Sequence, residues 1–481
     1  MYYKKRSTIL FRLYDDFGYL TDNRNFGYRY ANAPVVGDKI LSLSGAIMLQ
    51  CLGHEARTVE DVAKCAIVEF SGVEYSVLLD DIRELFDELV DGGFLVKGIS
   101  VEECRQKELT EPSVSDIASF SVASNRKKRV EESTQEFLQS HFGDMPFPVS
   151  VHLEIVGACN EKCIHCYIPG ENKLGVMPID LFENIVRQCV ELNILHITIS
   201  GGEPLLHPEI MTVLSRCREC DMSVNILSNL TMLTDDIAKE MKMNPLLGVQ
   251  ASLYSIDEKV HDSITGVEGS CKRTQRSILK LIHLGIPVQI SCPIMRQNLD
   301  SYRGVVEWGH KNGALVSADY VIIGRSDCTT ANLKCRIRPE DIFSIIRDEL
   351  RNPANRAKEE AEVRKNKLRT QDDYICSVCG SSICVGVNGN VFPCAGWQGC
   401  VLGNIKNDSL KHIWFSSEKA VWLRSLKRKD ITKCKMCKYQ EYCALCLVRN
   451  ANESESGNPL EANEFFCKVA QMKEKILCNG Q

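Results

Sequence analysis

A loop with three cysteines sets the tightest limit on the fold of this chain. The loop, CNEKCIHCYIPG (159–170), follows a stretch of alternating apolar residues, Val149, Val151, Leu153 and Ile155. A period of two predicts a half-buried strand, so the three thiols leave from its carboxyl end. In α/β folds built from parallel strands, ligands bind at that end. The sequence therefore predicts an α/β domain with a metal or ligand site on this loop.

Strand-like and helix-like stretches alternate after the loop. Five more strand-like runs follow before residue 324, at LHITIS, SVNILS, GVQASL, PVQISC and LVSADYVII. Helical patterns such as PIDLFENIVRQCVELN (178–193) and CKRTQRSILKLIHLG (271–285) lie between them. Six such units are fewer than the eight of a closed barrel, and they predict a partial (β/α)6 barrel over residues 146–345.

Cysteine usage favours metal binding over disulfide formation. The chain has 24 cysteines in 481 residues, with three in residues 1–150 and nine in residues 376–446. No signal-peptide pattern opens the sequence and no apolar run is long enough to span a bilayer, so we expect a cytoplasmic protein without a membrane partner. Thiols stay reduced there, which favours metal ligation. A net charge of −5 argues against a nucleic-acid partner.

The spacing of the three cysteines is specific. Cys159, Cys163 and Cys166 form a C-x3-C-x2-C pattern followed by Tyr167. A cluster of four irons and four sulfurs normally takes four thiolates, so three leave one iron open. The pattern resembles the radical S-adenosylmethionine (SAM) enzymes. The resemblance implies that the open iron binds the amino and carboxylate groups of SAM, and that reduction yields a 5′-deoxyadenosyl radical that removes a substrate hydrogen.

A zinc site with His165 as its fourth ligand is the alternative for this loop. His165 is adjacent to Cys166, and neighbouring residues rarely reach the same metal ion. Zinc modules also usually pair two C-x2-C arms. The spacing therefore favours the iron–sulfur cluster.

Further motifs match the radical SAM family at the ends of the next strands. The run GGEP comprises Gly201, Gly202, Glu203 and Pro204. In the family this run holds the methionine amine of SAM. Two glycines let the backbone approach a ligand closely, and a carboxylate accepts hydrogen bonds from an ammonium group. Asn229 and Ser252 end the next two strands, where family members contact the rest of SAM, and with Tyr167 they complete the predicted SAM site. The stretch HDSITGVEGS (261–270) resembles one common among peptide-modifying members.

The carboxyl-terminal region is dense in cysteines at recurring spacings. It carries C-x2-C pairs at 376–379, 434–437 and 443–446, a G-x4-C run at 389–394 and a last ligand candidate, Cys467. Together with LGNI (402–405), these features resemble the SPASM extension, which carries two auxiliary four-iron clusters. Carried over by position, the first cluster takes Cys376, Cys379, Cys394 and Cys446. The second takes Cys434, Cys437, Cys443 and Cys467.

This region departs from the family pattern in two ways. The last pair is spaced by two residues where the family more often has three, and Cys384 and Cys400 lie close enough in sequence to compete with Cys379 for the first cluster. A pair of structural zinc knots is the alternative, because two C-x2-C pairs are ordinary evidence for zinc. With the barrel cluster, the resemblance implies three [4Fe-4S] clusters and SAM as cofactors.

The first 105 residues predict a different kind of unit. STILFRLYDDFGYLTDN (7–23) indicates two strands joined by a turn, and helical patterns follow at 37–53, 58–70 and 76–93. With a closing FLV strand, this order is like that of a winged helix-turn-helix, typical of DNA-binding regulators. The third helix is strongly acidic and would be repelled by DNA phosphates. The order also resembles the PqqD-like domain, which in its family binds the leader of a precursor peptide as an added strand.

Four regions result: a PqqD-like domain at 1–105, a linker at 106–145, the partial barrel at 146–345 and the SPASM domain at 346–481. The resemblance covers nearly the whole chain and implies a maturase of a ribosomally synthesised peptide. It implies a crosslink, first a Cys thioether, and as partners a precursor peptide with its leader and a reductant such as flavodoxin or ferredoxin. The alternatives are carbon–carbon crosslinking, sulfatase-maturase-like oxidation of a protein Cys or Ser, and a metal-dependent DNA-binding regulator. The sequence singles out no catalytic acid or base.

Overall fold

A computed structural model describes residues 1–23, 36–109, 146–170, 173–244, 247–376 and 378–479. The front unit, up to residue 109, has two antiparallel sheets with the strand orders β5-β1-β6 and β2-β3-β4. Its strands are β1 (Tyr2–Lys5), β2 (Ile9–Leu13), β3 (Phe17–Asp22), β4 (Lys39–Ser42), β5 (Arg57–Thr58) and β6 (Leu95–Gly98). Its helices are α1 (Leu43–Leu52), α2 (Val59–Ala66), α3 (Tyr75–Asp91) and α4 (Val101–Leu109).

Local sequence signals set the helix ends in the front unit. Thr58 and Asp61 form a capping box at the start of α2, and Gly92 follows the end of α3. The helix predicted over 37–53 is wrong in its first part, because residues 39–42 pair as β4. The hydroxyl of Ser42 accepts a hydrogen bond from the Gly45 N–H, so α1 starts only there. Residues 110–145 of the predicted linker lie outside the described residues.

Six parallel strands form the centre of the molecule, each paired with the next. They are β7 (Ser150–Val156), β8 (His196–Gly201), β9 (Ser223–Ser228), β10 (Leu247–Ser252), β11 (Val288–Pro293) and β12 (Leu315–Asp319). The intervening helices are α5 (Ile179–Glu191), α6 (Ile210–Glu219), α7 (Asp235–Met243), α8 (Glu258–Thr265), α9 (Ser270–His283) and α10 (Tyr302–Lys311). The prediction of six strands is confirmed, and the apolar residues at alternate positions, Val151, Leu153 and Ile155, are fully buried.

The carboxyl-terminal unit extends the same sheet, which the sequence did not predict. Strand β13 (Ser382–Val385) pairs in parallel with β7, and β14 (Asn390–Phe392) and β15 (Gly403–Asn404) follow antiparallel, giving nine strands. The helices are α11 (Pro339–Glu349), α12 (Pro353–Lys367), α13 (Leu410–Ser416), α14 (Glu418–Ser425), α15 (Leu447–Glu453) and α16 (Glu464–Asn479). In the part of the chain that the structure describes, we find no helix with the length and apolar composition needed to cross a bilayer.

The front unit packs on the amino ends of the parallel strands. The ammonium group of Lys5 lies 3.0 Å from the carboxylate of Asp221, which precedes β9. The buried guanidinium of Arg12 donates to the carbonyl oxygens of Ile194 at 2.8 Å and of Asp221 at 3.0 Å. An apolar cluster seals the contact, with Leu10, Phe17 and Tyr19 from the front unit and Val149 and Leu195 from the sheet. The three-cysteine loop lies at the other end of the strands, because the strands are parallel and the loop follows β7.

A buried ion pair joins the segment after β12 to the last helices. The guanidinium of Arg336 donates to the two oxygens of Glu453 at 3.0 and 2.6 Å, and both side chains are under a tenth exposed. The Phe465 ring lies 4.3 Å from the same guanidinium. Glu453 also accepts from the side-chain amide of Asn463 at 2.8 Å. The Glu453 carboxylate is therefore well supplied with donors, whereas Nε of Arg336 is buried without a partner among the described residues.

Removing one partner of this pair should destabilise the protein strongly. Glu453→Ala leaves the Arg336 charge buried without its counter-ion, at a cost of about 3–5 kcal/mol. Urea unfolding of the anaerobic protein measures the loss. Glu191→Ala is the matched control, because Arg187 and Glu191 form an exposed pair at 2.7 Å worth less than about 0.5 kcal/mol. Equal stability of the two variants would contradict the role of the buried pair.

Candidate functional site

The three cysteines lie on the loop after β7, as the sequence predicts. Cys159, Cys163 and Cys166 are all partly buried rather than enclosed in the core. Two backbone hydrogen bonds hold the loop against the end of α8, from Lys162 N to Thr265 O at 2.7 Å and from Ile164 N to the Ile264 carbonyl at 3.0 Å. The thiols are thus fixed at the carboxyl end of the sheet and remain accessible.

Residues 261–270 support the cysteine loop through hydrogen bonds at the junction of α8 and α9. The carboxylate of Asp262 accepts hydrogen bonds from Gly269 N at 2.6 Å, from Cys271 N at 2.9 Å and from the Ser270 hydroxyl at 2.9 Å. These bonds tie the end of α8 to the start of α9 and so position the two carbonyls that hold the cysteine loop. Through these hydrogen bonds, residues 261–270 help to position the cysteine loop.

The glycines of GGEP pack against the backbone that leads to the cysteines. Gly201 has a φ of +135°, and an added Cβ would lie 2.0 Å from Val156 O. At Gly202 it would lie 2.2 Å from Ala158 O. Hydrogen bonds from Gly202 N to Val156 O (2.7 Å) and from Glu203 N to Ala158 O (2.9 Å) close this contact. The two glycines therefore let the GGEP backbone pack directly against the segment that leads to the cysteines.

Glu203 links the ends of two neighbouring strands. Its carboxylate is fully buried and accepts from Leu205 N at 3.0 Å, from the Ser228 hydroxyl at 2.7 Å and from Asn229 N at 2.8 Å. Burial raises the pKa of Glu203 to about 6, and these hydrogen bonds oppose the rise. Pro204 begins a short 3-10 turn directly after it.

Asn229 connects the third strand end to the cysteine loop. Its side-chain amide donates to the Asn160 side chain at 2.9 Å, and its side-chain oxygen accepts from Thr231 N at 2.9 Å. Asn160 lies between the first two cysteines and donates to the Thr231 hydroxyl at 2.7 Å. The loop, the GGEP run and the end of β9 therefore form one hydrogen-bonded unit. The sequence analysis did not predict a role for Asn160. Its position between Cys159 and Cys163 is the feature that could have indicated one.

The remaining predicted SAM-site residues are Ser252 and Tyr167. Ser252 ends β10 two residues before Tyr254, whose hydroxyl oxygen lies 3.9 Å from the thiol sulfur of Cys163. Tyr167 directly follows Cys166, and its hydroxyl is within electrostatic reach of Glu154 and Cys394. The end of β10 therefore lies beside the cysteine loop.

The loop thiols have the electrostatics and spacing of cluster ligands. Burial raises the pKa of Cys159 to about 11 and that of Cys163 well above its usual range, so each thiolate needs a bound cation. A tetrahedral zinc site holds its sulfurs about 3.8 Å apart. Among the described residues the three loop thiols do not all lie within 4.8 Å of one another. These thiols are therefore not held at the mutual spacing of a bound tetrahedral zinc site.

The carboxyl-terminal cysteines separate into two groups. In the first, the Cys376 thiol is within electrostatic reach of Cys394 and Cys446, and Cys379 is within reach of Cys376 and Cys394. In the second, Cys434 is within reach of Cys437, Cys443 and Cys467. Cys400 is also within reach of Cys379, and Cys384 is within reach of Cys394, so the assignment of four thiols to each cluster stays a prediction.

The second group lines a cavity of about 310 Å³. The cavity also has basic side chains, among them Arg428, Lys433 and Arg449, and the Phe466 ring. The guanidinium of Arg449 lies 3.9 Å from the centre of that ring. Cationic walls favour thiolates over thiols, so this cavity suits a thiolate-bound cluster.

The two competing cysteines lie in different places. Cys400 is within electrostatic reach of Cys379 and so lies beside the first group. Cys384 is buried on β13, opposite His152 on β7 in the strand register. It faces Glu154 inside the sheet. No sequence pattern places His152 and Glu154 near Cys384, although both alternate with the apolar residues of β7 and so share the other face of that strand.

Comparisons with known proteins agree with these features. Residues 153–309 match the model of the radical SAM superfamily, and residues 376–438 match that of the SPASM iron–sulfur cluster-binding domain. Over 327 residues the chain is 22% identical to an AdoMet-dependent heme synthase of Methanosarcina barkeri, covering 63% of this chain and 92% of that protein. Over 336 residues it is 26% identical to the antilisterial bacteriocin subtilosin biosynthesis protein AlbA of Bacillus subtilis, covering 65% and 70%.

Solved structures share the fold over nearly the whole chain. The crystal structure of Streptococcus suis SuiB bound to SAM matches with a TM-score of 0.59 and 17% identity, covering 96% of this chain and 99% of that one. SuiB bound to its precursor peptide SuiA matches with a TM-score of 0.57 and 16% identity, covering 97% and 100%. The chain is therefore an enzyme that carries a radical SAM domain followed by a SPASM iron–sulfur cluster-binding domain.

Proposed function

We propose that this enzyme removes a hydrogen from a ribosomally synthesised precursor peptide and installs a crosslink in it. The main support is the extent of the structural match: SuiB, solved with a precursor peptide, covers 97% of this chain, front unit included. The match to the heme synthase covers 63%. The relationship to a bacteriocin biosynthesis protein points in the same direction.

The residues at the sheet end fit the cofactors that this reaction needs. Cys159, Cys163 and Cys166 would hold a [4Fe-4S] cluster with one iron left for SAM, and together these groups supply the radical that abstracts hydrogen. Glu203 and Asn229 hydrogen-bond the cysteine loop and the strand ends into one unit, so the three thiols keep their relative positions. The adjoining cavity of about 570 Å³, lined by Gly157, Gly201 and Gly202 and by residues of the carboxyl-terminal unit, leaves room for ligand or substrate.

The two cysteine groups of the carboxyl-terminal unit would hold two auxiliary clusters. Cys376, Cys379, Cys394 and Cys446 form the first set, and Cys434, Cys437, Cys443 and Cys467 form the second. Each set has the four thiols of full ligation. Bound clusters would take up the electron released when the substrate radical forms its bond. A flavodoxin or ferredoxin in the reducing cytoplasm is the proposed electron donor.

The front unit is the proposed docking site for the leader, as a PqqD-like domain. Strand β4 pairs only with β3 among the described residues, so its other edge can accept an added strand. Lys39 on β4 pairs with Glu88 of α3 at 2.5 Å, which places this helix beside the edge. Asp81 and Glu84 on α3 are exposed, and they favour a leader that carries basic residues.

A peptide encoded beside this gene tests the function. Incubated with reduced enzyme and SAM without oxygen, it should lose two hydrogen atoms per crosslink while 5′-deoxyadenosine accumulates, both read by mass spectrometry. A thioether also consumes a free cysteine, so alkylation by iodoacetamide should fall by one site per crosslink. A carbon–carbon crosslink leaves the count of alkylated thiols unchanged.

The same peptide without its leader is the control for docking. At low peptide concentration it should react at least tenfold more slowly, because the leader raises the local concentration of the modified segment. Equal rates for the peptides with and without the leader would show that the front unit does not act by binding the leader. Absence of any mass change in the full precursor, with 5′-deoxyadenosine still produced, would exclude that peptide as the substrate.

A further inference from the structure

Three potential metal ligands that are not proposed cluster cysteines converge inside the sheet, within electrostatic reach of Cys394 of the first group. His152 and Glu154 are two residues apart on β7 and so face the same side. Cys384 on β13 is the register partner of His152. One ligand atom from each of these side chains lies within 4.8 Å of the other two. No other group of three such side chains is as tight among the residues that the structure describes.

The carboxylate in this group is buried and incompletely satisfied. Glu154 is 6% exposed, and only its Oε2 atom has a hydrogen-bond donor, the side-chain amide of Gln398 at 2.6 Å. Its Oε1 atom is buried without a partner among the described residues. Burial raises the pKa of Glu154 to about 7 and that of Cys384 well above its usual range. A bound cation would offset the cost of both buried charges.

The imidazole is arranged as metal ligands usually are. His152 hydrogen-bonds the Ser200 hydroxyl through Nε2, and a metal-bound histidine typically uses its second nitrogen in this way. Burial lowers the pKa of His152 to about 4, so the ring is neutral, as ligation requires. Glu154 also lines the cavity of about 570 Å³, which gives the group access to solvent and substrate.

We propose that His152, Glu154 and Cys384 bind a single zinc ion whose fourth position opens into this cavity. Nitrogen, oxygen and sulfur donors together suit zinc, and three protein ligands plus a water are the pattern of zinc sites that keep an open position. The ligand atoms of this group all lie within 4.8 Å of one another, and those of the three loop thiols do not. Cys384 is then a zinc ligand and takes no part in the first auxiliary cluster.

Zinc analysis of the intact anaerobic enzyme tests this site. After reconstitution with iron, sulfide and equimolar zinc, followed by desalting, we expect about one zinc per chain beside the iron. X-ray absorption at the zinc edge detects only zinc. The spectrum should show one sulfur and two or three nitrogen or oxygen atoms bound to the zinc ion. Cys384→Ser should lose the zinc and leave iron and sulfide contents unchanged.

Two further variants distinguish loss of the zinc site from poor folding of Cys384→Ser. Glu154→Gln keeps the shape of the side chain and removes its charge, so it should weaken zinc binding at least tenfold even if Cys384→Ser folds poorly. Cys189→Ala removes a buried cysteine of helix α5 and should keep the zinc. Loss of about four irons in Cys384→Ser would overturn the proposal, because it would assign Cys384 to a cluster. Zinc absent from the wild-type enzyme, zinc retained by Glu154→Gln, or a zinc spectrum with several sulfurs would overturn it too.

Discussion

An enzyme with alanine at Cys159, Cys163 and Cys166 should make no 5′-deoxyadenosine from SAM and should contain about four fewer irons per chain than the wild type. The reason is structural: these are the three thiols on the loop at the carboxyl end of the parallel sheet. Iron assay and chromatography of the reaction mixture under reductant measure both effects. The auxiliary cluster signals should persist, because their proposed ligands lie on other elements.

The three cysteines of the front unit, Cys51, Cys65 and Cys104, provide the matched control. Changing all three to alanine removes the same number of thiols from a region without a proposed cluster, so iron content and SAM cleavage should stay at wild-type levels. Continued 5′-deoxyadenosine formation by the loop variant would show that the assignment of the radical site is wrong.

Gly202→Ala should reduce SAM cleavage by about 100-fold while the protein stays folded. The new methyl group would lie 2.2 Å from Ala158 O and 2.4 Å from Gly157 O, both rigid backbone atoms. The cysteine loop must therefore move, and a shift of about 1 Å at a reacting centre costs this much. Rate measurements at saturating SAM, with circular dichroism as the fold check, test the expectation.

Gly170→Ala is the control for this substitution. Gly170 lies on the same loop, has an ordinary φ and has no atom within 4 Å of an added Cβ. Its rate should stay within about twofold of the wild type, since a surface change without clashes has little effect. A Gly202→Ala enzyme as active as this control would mean that the contact between GGEP and the loop does not position the site.

Local patterns in the sequence predicted the six strands of the central sheet. The alternation at Val151, Leu153 and Ile155 indicates a strand because burial on one face requires a period of two. The Thr58 capping box is similarly local, since its partner lies three residues away. The assignment of the carboxyl-terminal thiols to two sets came instead from the resemblance to the SPASM extension, because Cys376 and Cys446 lie 70 residues apart.

Contacts between distant segments could not be predicted in this way. Nothing in the sequence aligns Cys384 with His152, because that register depends on β13 joining a sheet more than two hundred residues earlier in the chain. The helix expected over 37–53 failed for a related reason: residues 39–42 pair with β3, and strand pairing overrides a helical pattern. The packing of the GGEP glycines against the backbone from Val156 to Ala158 was not predicted either, because it joins two segments more than forty residues apart.

The position of the front unit imposes a minimum length on any peptide that it delivers. Its contacts at Ile194 and Asp221 precede β8 and β9, while the three thiols follow β7 at the opposite edge. Strands of six or seven residues, at about 3.3 Å per residue, separate the two edges by about 20 Å. A peptide anchored at β4 must cross this distance outside the sheet, which takes at least six or seven extended residues. If the leader is anchored at β4 as proposed, residues closer than that to its anchoring segment would be out of reach of the radical, and the position of the front unit would determine where a precursor can be modified.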